Sequence, residues 1–349
     1  MTSTVTAVQP SRVAVHSDAR ARLTDNFGRT ARDLRVSLTD RCNLRCTYCM
    51  PAQGMGWIAK PDLLTDDEIV RLVEVAVTRL GIEDVRLTGG EPLLRPGLVG
   101  IVARIAALHP RPSVSLTTNG IGLDRVAAAL ADAGLNRINV SLDTLDRDRF
   151  KQLARRDQLH HVIRGLSAAR SVGLSPVKVN AVLMQGINDQ EAPDLLAFCL
   201  ENDYQLRFIE QMPLDPMHGW SKSSMVSAAQ ILDLLSARWS LSPSQEPRAA
   251  APAQEFLVDG GPQTVGIVAS VTRPFCGDCD RVRLTADGQL RTCLFARREF
   301  DLRALLREGG SEQQIVDLWT RSFATKAAGH RIDDPSFQQP GRPMSAIGG

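Results

Sequence analysis

Between residues 34 and 212 short apolar runs alternate with longer stretches whose apolar positions recur at helical spacing. That alternation predicts βα units around a parallel sheet. Six strands are expected, at Leu34–Leu38, Asp84–Leu87, Ser113–Thr117, Arg137–Leu142, Val177–Leu183 and Leu206–Ile209. After the first, Ile69, Leu72, Val73, Ala76 and Leu80 share one helical face. Thr65 with Glu68 three residues on is a capping box, so a helix is expected over Thr65–Leu80. The α/β class follows, as either an incomplete TIM-like (βα)6 barrel or an open doubly wound sheet. Right-handed crossovers put the functional loops at the strands' C-terminal ends in both.

Near residues 242–253 the composition turns to Ser, Pro, Gln and Ala, a linker signature. Behind it Gln254–Val258, Thr264–Val271, Val282–Thr285 and Gln289–Cys293 read as short strands separated by Gly-Gly, Pro and Asp-Gly turns. A smaller antiparallel or α+β domain is expected there. The expected organisation is an extension over residues 1–25, a barrel over 26–245 and a C-terminal domain over 246–349, in line with roughly 150 residues per domain.

The formal net charge is +2, which gives no global electrostatic case for a nucleic-acid or membrane-surface protein. Aromatic residues, at 5%, are too few for a base-stacking platform. The first 25 residues lack the apolar core of a signal peptide and no apolar run reaches the length of a membrane span. A cytoplasmic protein with no nucleic-acid or membrane partner is expected.

Seven cysteines fall as Cys42, Cys46 and Cys49, a lone Cys199, then Cys276, Cys279 and Cys293. Grouped three, one, three, they argue for metal ligation in a reducing compartment over disulfides. The first triplet, C-x3-C-x2-C, directly follows the first strand, so its thiols occupy a loop at a strand's C-terminal end. Thiolates suit zinc or an iron–sulfur cluster. A structural zinc needs a fourth ligand, and no other Cys or His lies within 20 residues. On a cubane cluster three protein ligands leave one iron open, where S-adenosylmethionine can chelate through its amino and carboxylate groups.

The second triplet is spaced C-x2-C-x13-C, and a hairpin through Asp287-Gly288 returns Cys293 toward the pair. Another open-sited cluster is one reading; a zinc ribbon completed by His218 or Cys199 is the other. Cys199 holds a core-like position in the helical stretch Ala192–Leu200 and reads as a small hydrophobe. Arg281 and Arg283 alternate onto one face of the strand beside the triplet. With Arg35 and Arg86 they suit a polyphosphate, although surface arginines are commonly just solvated. Lys178 and Thr117 would be further contacts.

The first cysteine loop, with Tyr48 next to last, resembles the signature of the radical S-adenosylmethionine superfamily. Thr88-Gly-Gly-Glu-Pro92 is similar to the segment with which that superfamily holds the cosubstrate's amino group. With the second triplet, the chain from Asp25-Asn-Phe-Gly-Arg29 to Met344-Ser-Ala-Ile-Gly-Gly349 resembles the molybdenum cofactor biosynthesis protein A family, the GTP 3',8-cyclases. This resemblance implies a radical SAM barrel with a smaller α+β domain, two [4Fe-4S] clusters and S-adenosylmethionine. It implies reductive cleavage to a 5'-deoxyadenosyl radical, abstraction of hydrogen from C3' of GTP, and cyclisation onto C8 to give 3',8-cyclo-7,8-dihydroguanosine 5'-triphosphate. Tyr48, Gly90, Ser141 and Met212 match the family's cosubstrate contacts, while Arg35, Arg86, Thr117, Lys178, Arg281 and Arg283 match its GTP contacts. Ser141 and Met212 also read as plain strand-end residues.

Implied partners are a reductant protein such as a flavodoxin-type electron donor and a downstream cyclic pyranopterin monophosphate synthase; a homodimer is compatible. The terminal Gly348-Gly349 is read either as a loose tail or, by the resemblance, as a segment entering the active site; a carrier adenylated at such a terminus would be a small single domain. One departure is Pro96 after Arg95, where family members often carry a second basic residue. Two other classes stay open: a radical enzyme acting on peptides, which usually carries more C-terminal cysteines, and a zinc-containing binding protein.

Overall fold

The structure, a computed structural model, describes residues 22–348; most of the expected N-terminal extension, residues 1–21, and Gly349 lie outside them. β1 (Asp33–Ser37), β2 (Asp84–Thr88), β3 (Ser113–Thr118), β4 (Arg137–Ser141), β5 (Val177–Val182) and β6 (Gln205–Ile209) pair in parallel in that order. α1 (Asp66–Leu80), α2 (Leu98–Ala106), α3 (Ala127–Asp132), α4 (Arg147–Ala154), α5 (Leu159–Ser171) and α6 (Ala192–Glu201) connect them. Each strand lies within one residue of the bounds its apolar pattern predicts. The capping box at Thr65 and Glu68 is formed, and Gly81, with φ +76°, closes α1 in the left-handed conformation that a residue without Cβ adopts freely.

Alternation along the strands separates two environments. Leu34 and Val36, Val85 and Leu87, Leu116, Ile138, Val179 and Leu206 are buried in the hydrophobic core. The alternate positions, among them Arg35, Arg86, Thr117, Ser141 and Asn180, face a cavity instead. A sheet buried on both faces is normally apolar on both; here one face is polar, which marks it as a binding surface.

The strands of the C-terminal part pair back onto the barrel. α7 (Ala228–Ser236) leads to β7 (Leu241–Pro243), β8 (Gln254–Val258) and β9 (Thr264–Val268), which run antiparallel to one another, but β9 joins β6 in parallel. β10 (Arg281–Leu284) joins β1 in parallel, with β11 (Gln289–Arg291) and β12 (Phe300–Asp301) outside it. One twelve-stranded sheet results, and both edges of the six-unit barrel are covered. β9 and β11 stop earlier than the apolar runs suggest because Ser270 and Cys293 leave the ladder to line the cavity. α8 (Leu302–Arg307) and α9 (Glu312–Ala324) follow, the latter burying Trp319 and Phe323, and α10 (Met344–Ile347) returns to the barrel mouth.

Candidate functional site

The loop after β1 is shaped by its own main chain. The amides of Cys49 and Met50 donate to the Cys46 carbonyl at 3.0 and 2.9 Å, and the amides flanking Cys46, those of Arg45 and Thr47, donate to the end of α4 at Ala154 and Leu153. Cys42, Cys46 and Cys49 thereby line one cavity. Burial pushes all three thiols up, Cys49 to about 12; Cys42 raises Cys46 and Cys49 further, and Cys49 raises Cys46. Three half-buried cysteines whose charge is disfavoured fit a cationic metal group, which makes the thiolates the stable form.

Beside this loop, glycine is required twice. A Cβ on Gly89, whose φ is +141°, would lie 2.4 Å from the Thr39 carbonyl oxygen; one on Gly90 would lie 2.3 Å from that of Arg41. The strand end can therefore approach the cysteine loop only as Gly-Gly. The next residue, Glu91, is fully buried, accepts hydrogen bonds from the Thr118 hydroxyl and the Asn119 and Leu93 amides, and is pushed up to about 7 by burial. Tyr48 donates to Asp143 at 2.7 Å, and burial pushes that carboxyl up to about 6. Tyr48, Gly90, Ser141 and Met212 all line the cavity.

Cys276, Cys279 and Cys293 line the same cavity. The Arg29 guanidinium holds the Cys276 carbonyl at 2.7 Å and the carbonyls of Ala327 and Ala328. The buried Lys326 ammonium donates to the Cys279 sulfur at 3.4 Å and to the Arg281 carbonyl at 2.6 Å. Burial raises the Cys279 thiol, but Arg281 and Lys326 more than offset that and hold it below its ordinary value. Among the described residues no three His, Cys, Asp or Glu side chains converge tightly enough for a single metal ion. Each triplet supplies three thiols to one cavity, the donor set of a cubane in which each thiolate binds a different iron.

Register lines up the cations. Arg35 sits opposite Arg283 on one side and Arg86 on the other, with Arg281 opposite Asp33 one row below. Asp33 lies 3.9 Å from Arg35 and 4.0 Å from Arg86, one carboxylate among several guanidiniums. Burial pulls Arg35, Arg86 and Arg283 down, though an arginine stays charged. The Nε atoms of Arg35, Arg86, Arg207 and Arg281 are buried without a hydrogen-bond partner. Thr117 lines the cavity with them. Lys178 does not reach it: on β5 it lies two residues below the cavity-lining Asn180, and its charge is felt beside Arg207.

Arg207, which also lines the cavity, escaped the sequence reading, although it lies opposite the cavity-facing Asn180 in strand register. Arg281 is seated by the carbonyl of Ala250, in the segment read as a linker, and by the Phe275 ring 4.9 Å away, contacts that strand patterning does not carry. Arg95, beside Pro96, is taken up by Asp66 and the carbonyls of Leu38 and Leu64. Cys199 is buried in the core, away from both triplets. The tail enters the cavity: Met344 and Ser345 line it, the Ile347 carbonyl accepts from Ser37 at 3.0 Å, and the Gly348 carbonyl accepts from Arg283.

Three thiols lining the mouth of an incomplete parallel barrel, beside a strand end that only glycine can form, define a radical S-adenosylmethionine enzyme. Residues 36–199 match the Radical SAM superfamily model and residues 204–332 the model described as Molybdenum Cofactor Synthesis C. A GTP 3',8-cyclase of Streptomyces coelicolor is 66% identical, over 94% of this chain and 96% of that protein. Another, from Mycobacterium sp. strain KMS, is 56% identical over 97% of each. Among solved structures, Streptococcus suis SuiB shares the fold, with a TM-score of 0.58 at 15% identity over 85% of this chain and 68% of that one. The chain belongs to the GTP 3',8-cyclase family.

Proposed function

We propose that this chain is the lyase that closes GTP into 3',8-cyclo-7,8-dihydroguanosine 5'-triphosphate in molybdenum cofactor biosynthesis. The observation that carries the reading is the row of guanidiniums, Arg35, Arg86, Arg281 and Arg283, that lines one cavity together with both cysteine triplets. A triphosphate is the polyanion that such a row of forked cations suits. Cys42, Cys46 and Cys49 would hold one [4Fe-4S] cluster and Cys276, Cys279 and Cys293 the other. When bound, the clusters and S-adenosylmethionine supply the electron, the hydrogen-abstracting radical and an open iron for the guanine.

The chain's own residues then do three things. Arg35, Arg86, Arg281 and Arg283 fix the triphosphate, and with it the ribose, against the barrel floor. Gly89, Gly90 and Glu91 offer a close backbone and a buried carboxylate to the cosubstrate's ammonium. The tail closes the mouth and limits water in a cavity of about 340 Å³. A protein reductant, a downstream cyclic pyranopterin monophosphate synthase and a cytoplasmic setting complete the reading; the free cysteines suit a reducing compartment, and among the described residues no helix is long and apolar enough to cross a membrane.

The test is anaerobic purification, metal analysis, and an assay with S-adenosylmethionine, dithionite and each of the four common nucleoside triphosphates. About eight irons per chain, 5'-deoxyadenosine, and a cyclised product from GTP alone are expected. Colourless zinc protein, or another nucleotide consumed as well as GTP, would overturn the reading.

The tail makes a further expectation concrete. Gly348 has φ +83°, and a Cβ there would lie 2.3 Å from Ser37 Oγ and 2.8 Å from Thr88 Cγ2. Gly348→Val therefore unseats the tail, and GTP turnover should fall at least 10-fold while the melting temperature moves little, because α10 adds few core side chains. Wild-type turnover in this variant would mean the seated tail is dispensable.

A further inference from the structure

The group held by the first triplet must receive an electron from outside the chain, and the surface behind that triplet has an unusual charge. Phe150, Leu153 and Ala154 put one side of α4 into the cavity. Lys151 and Gln152 on the same helix, and Arg156 just beyond it, are exposed. Here the wall between cavity and solvent is one helix, about 10 Å thick, and the amides on either side of Cys46 are hydrogen-bonded to its last turn.

Residues 147–157 carry five basic and two acidic side chains in a protein whose net charge is only +2. The acidic neighbours are engaged: Asp157 by Arg147 at 2.6 Å, Glu191 by Arg149 and Thr144, Asp146 as the cap of α4, and Asp143 by Tyr48. Exposed Asp148 is the one left on this face among the described residues. The remaining cations turn to main chain. Arg155 donates to the carbonyls of Arg45 and Met50, and Arg45 to those of Cys42 and Leu44 while lying 5.3 Å from the Trp57 ring. A net positive balance thus runs from the cysteine loop to the surface at Lys151 and Arg156, with Asp157 the acidic group that Lys151 shares with Arg147.

We propose that this face, Lys151 and Arg156 with Arg155 and Arg45 behind them, docks an acidic one-electron carrier protein of the flavodoxin class. The inference rests on the reading that S-adenosylmethionine is reductively cleaved at the first triplet. In the transfer the donor's anionic flavin hydroquinone loses one electron and becomes the neutral semiquinone. The group held by Cys42, Cys46 and Cys49 gains that electron, and no proton has to cross. Like-charge repulsion keeps basic carriers away, and complementary charge raises the encounter rate with acidic ones.

The test uses the full anaerobic protein and a purified acidic flavodoxin in its hydroquinone form, at about 10 mM ionic strength, where the Debye length is about 30 Å. Semiquinone formation is followed by stopped flow, and binding of oxidised flavodoxin by calorimetry. For the double variant Lys151→Glu, Arg156→Glu the second-order rate and the affinity should each fall at least 10-fold, and salt should erase the difference from wild type. Dithionite-driven formation of 5'-deoxyadenosine should be unchanged, since neither residue lines the cavity. Equal flavodoxin rates in wild type and variant overturn the docking face, as does an equal loss in a control reversal on α9, Arg321→Glu. Failure of dithionite-driven cleavage in the wild type overturns the reading of the first triplet instead.

Discussion

Cys46→Ala should abolish the formation of 5'-deoxyadenosine, with a loss of more than 100-fold measured by chromatography after anaerobic incubation with dithionite. Losing a partner outside the ligand shell typically costs 10- to 100-fold, so losing a ligand costs more. The variant is informative because the loop's shape does not depend on the thiol. The Cys46 carbonyl accepts from Cys49 and Met50, and the flanking amides reach α4 whatever the side chain. The melting temperature of the apo-protein should therefore stay near wild type while cleavage is lost. Cys42→Ala and Cys49→Ala should behave alike. Cys279→Ala should differ in kind, since the second triplet touches the cavity from the β10 side: uncoupled cleavage survives and the cyclised product does not. Cys199→Ala should do neither and cost only core packing, of the order of 1 kcal/mol. Substantial cleavage by Cys46→Ala would remove that residue from the ligand set.

How much of this was legible depends on how local each signal is. Strand alternation and the cysteine spacings are local, and they located β1 to β6 and both triplets. Gly89 and Gly90 were visible as a motif, but the reason for them is not local: their missing Cβ atoms make room for the Thr39 and Arg41 carbonyls, about 50 residues away. The placement of the C-terminal strands was hidden for a related reason. Hairpins are written in turn residues, whereas the docking of β9 on β6 and of β10 on β1 depends on which sheet edges stand open, a property of the assembled barrel. Lys178 shows the opposite limit. It shares a face of β5 with the cavity-lining Asn180, yet depth along the strand decides whether such a residue lines the cavity or lies below it, and periodicity does not carry depth.

Depth and charge together make the arginine pair the most sensitive point of the site. Arg283 lines the cavity beside Arg35, and its guanidinium also holds the Gly348 carbonyl. Arg281 lines the cavity, supported by the Ala250 carbonyl and the Phe275 ring, with its Nε 3.6 Å from Asp280. A hydrogen bond to a charged group contributes about 1.5–3 kcal/mol, so Arg281→Ala should weaken GTP binding roughly 10- to 100-fold by equilibrium dialysis. Arg283→Ala should lose at least as much affinity and also free the tail to proteolysis at its C-terminal end, which Arg281→Ala should not. The remaining affinity should carry a pH signature. Burial, with Arg207 beside it, pulls the Lys178 ammonium down to about 8. Below that pH the lysine is charged and favours the polyanion; above it the charge is lost, so GTP affinity should decline as pH rises through 8, and Lys178→Met should flatten the decline. An unchanged GTP affinity in Arg281→Ala would show that the triphosphate lies elsewhere than on the barrel floor.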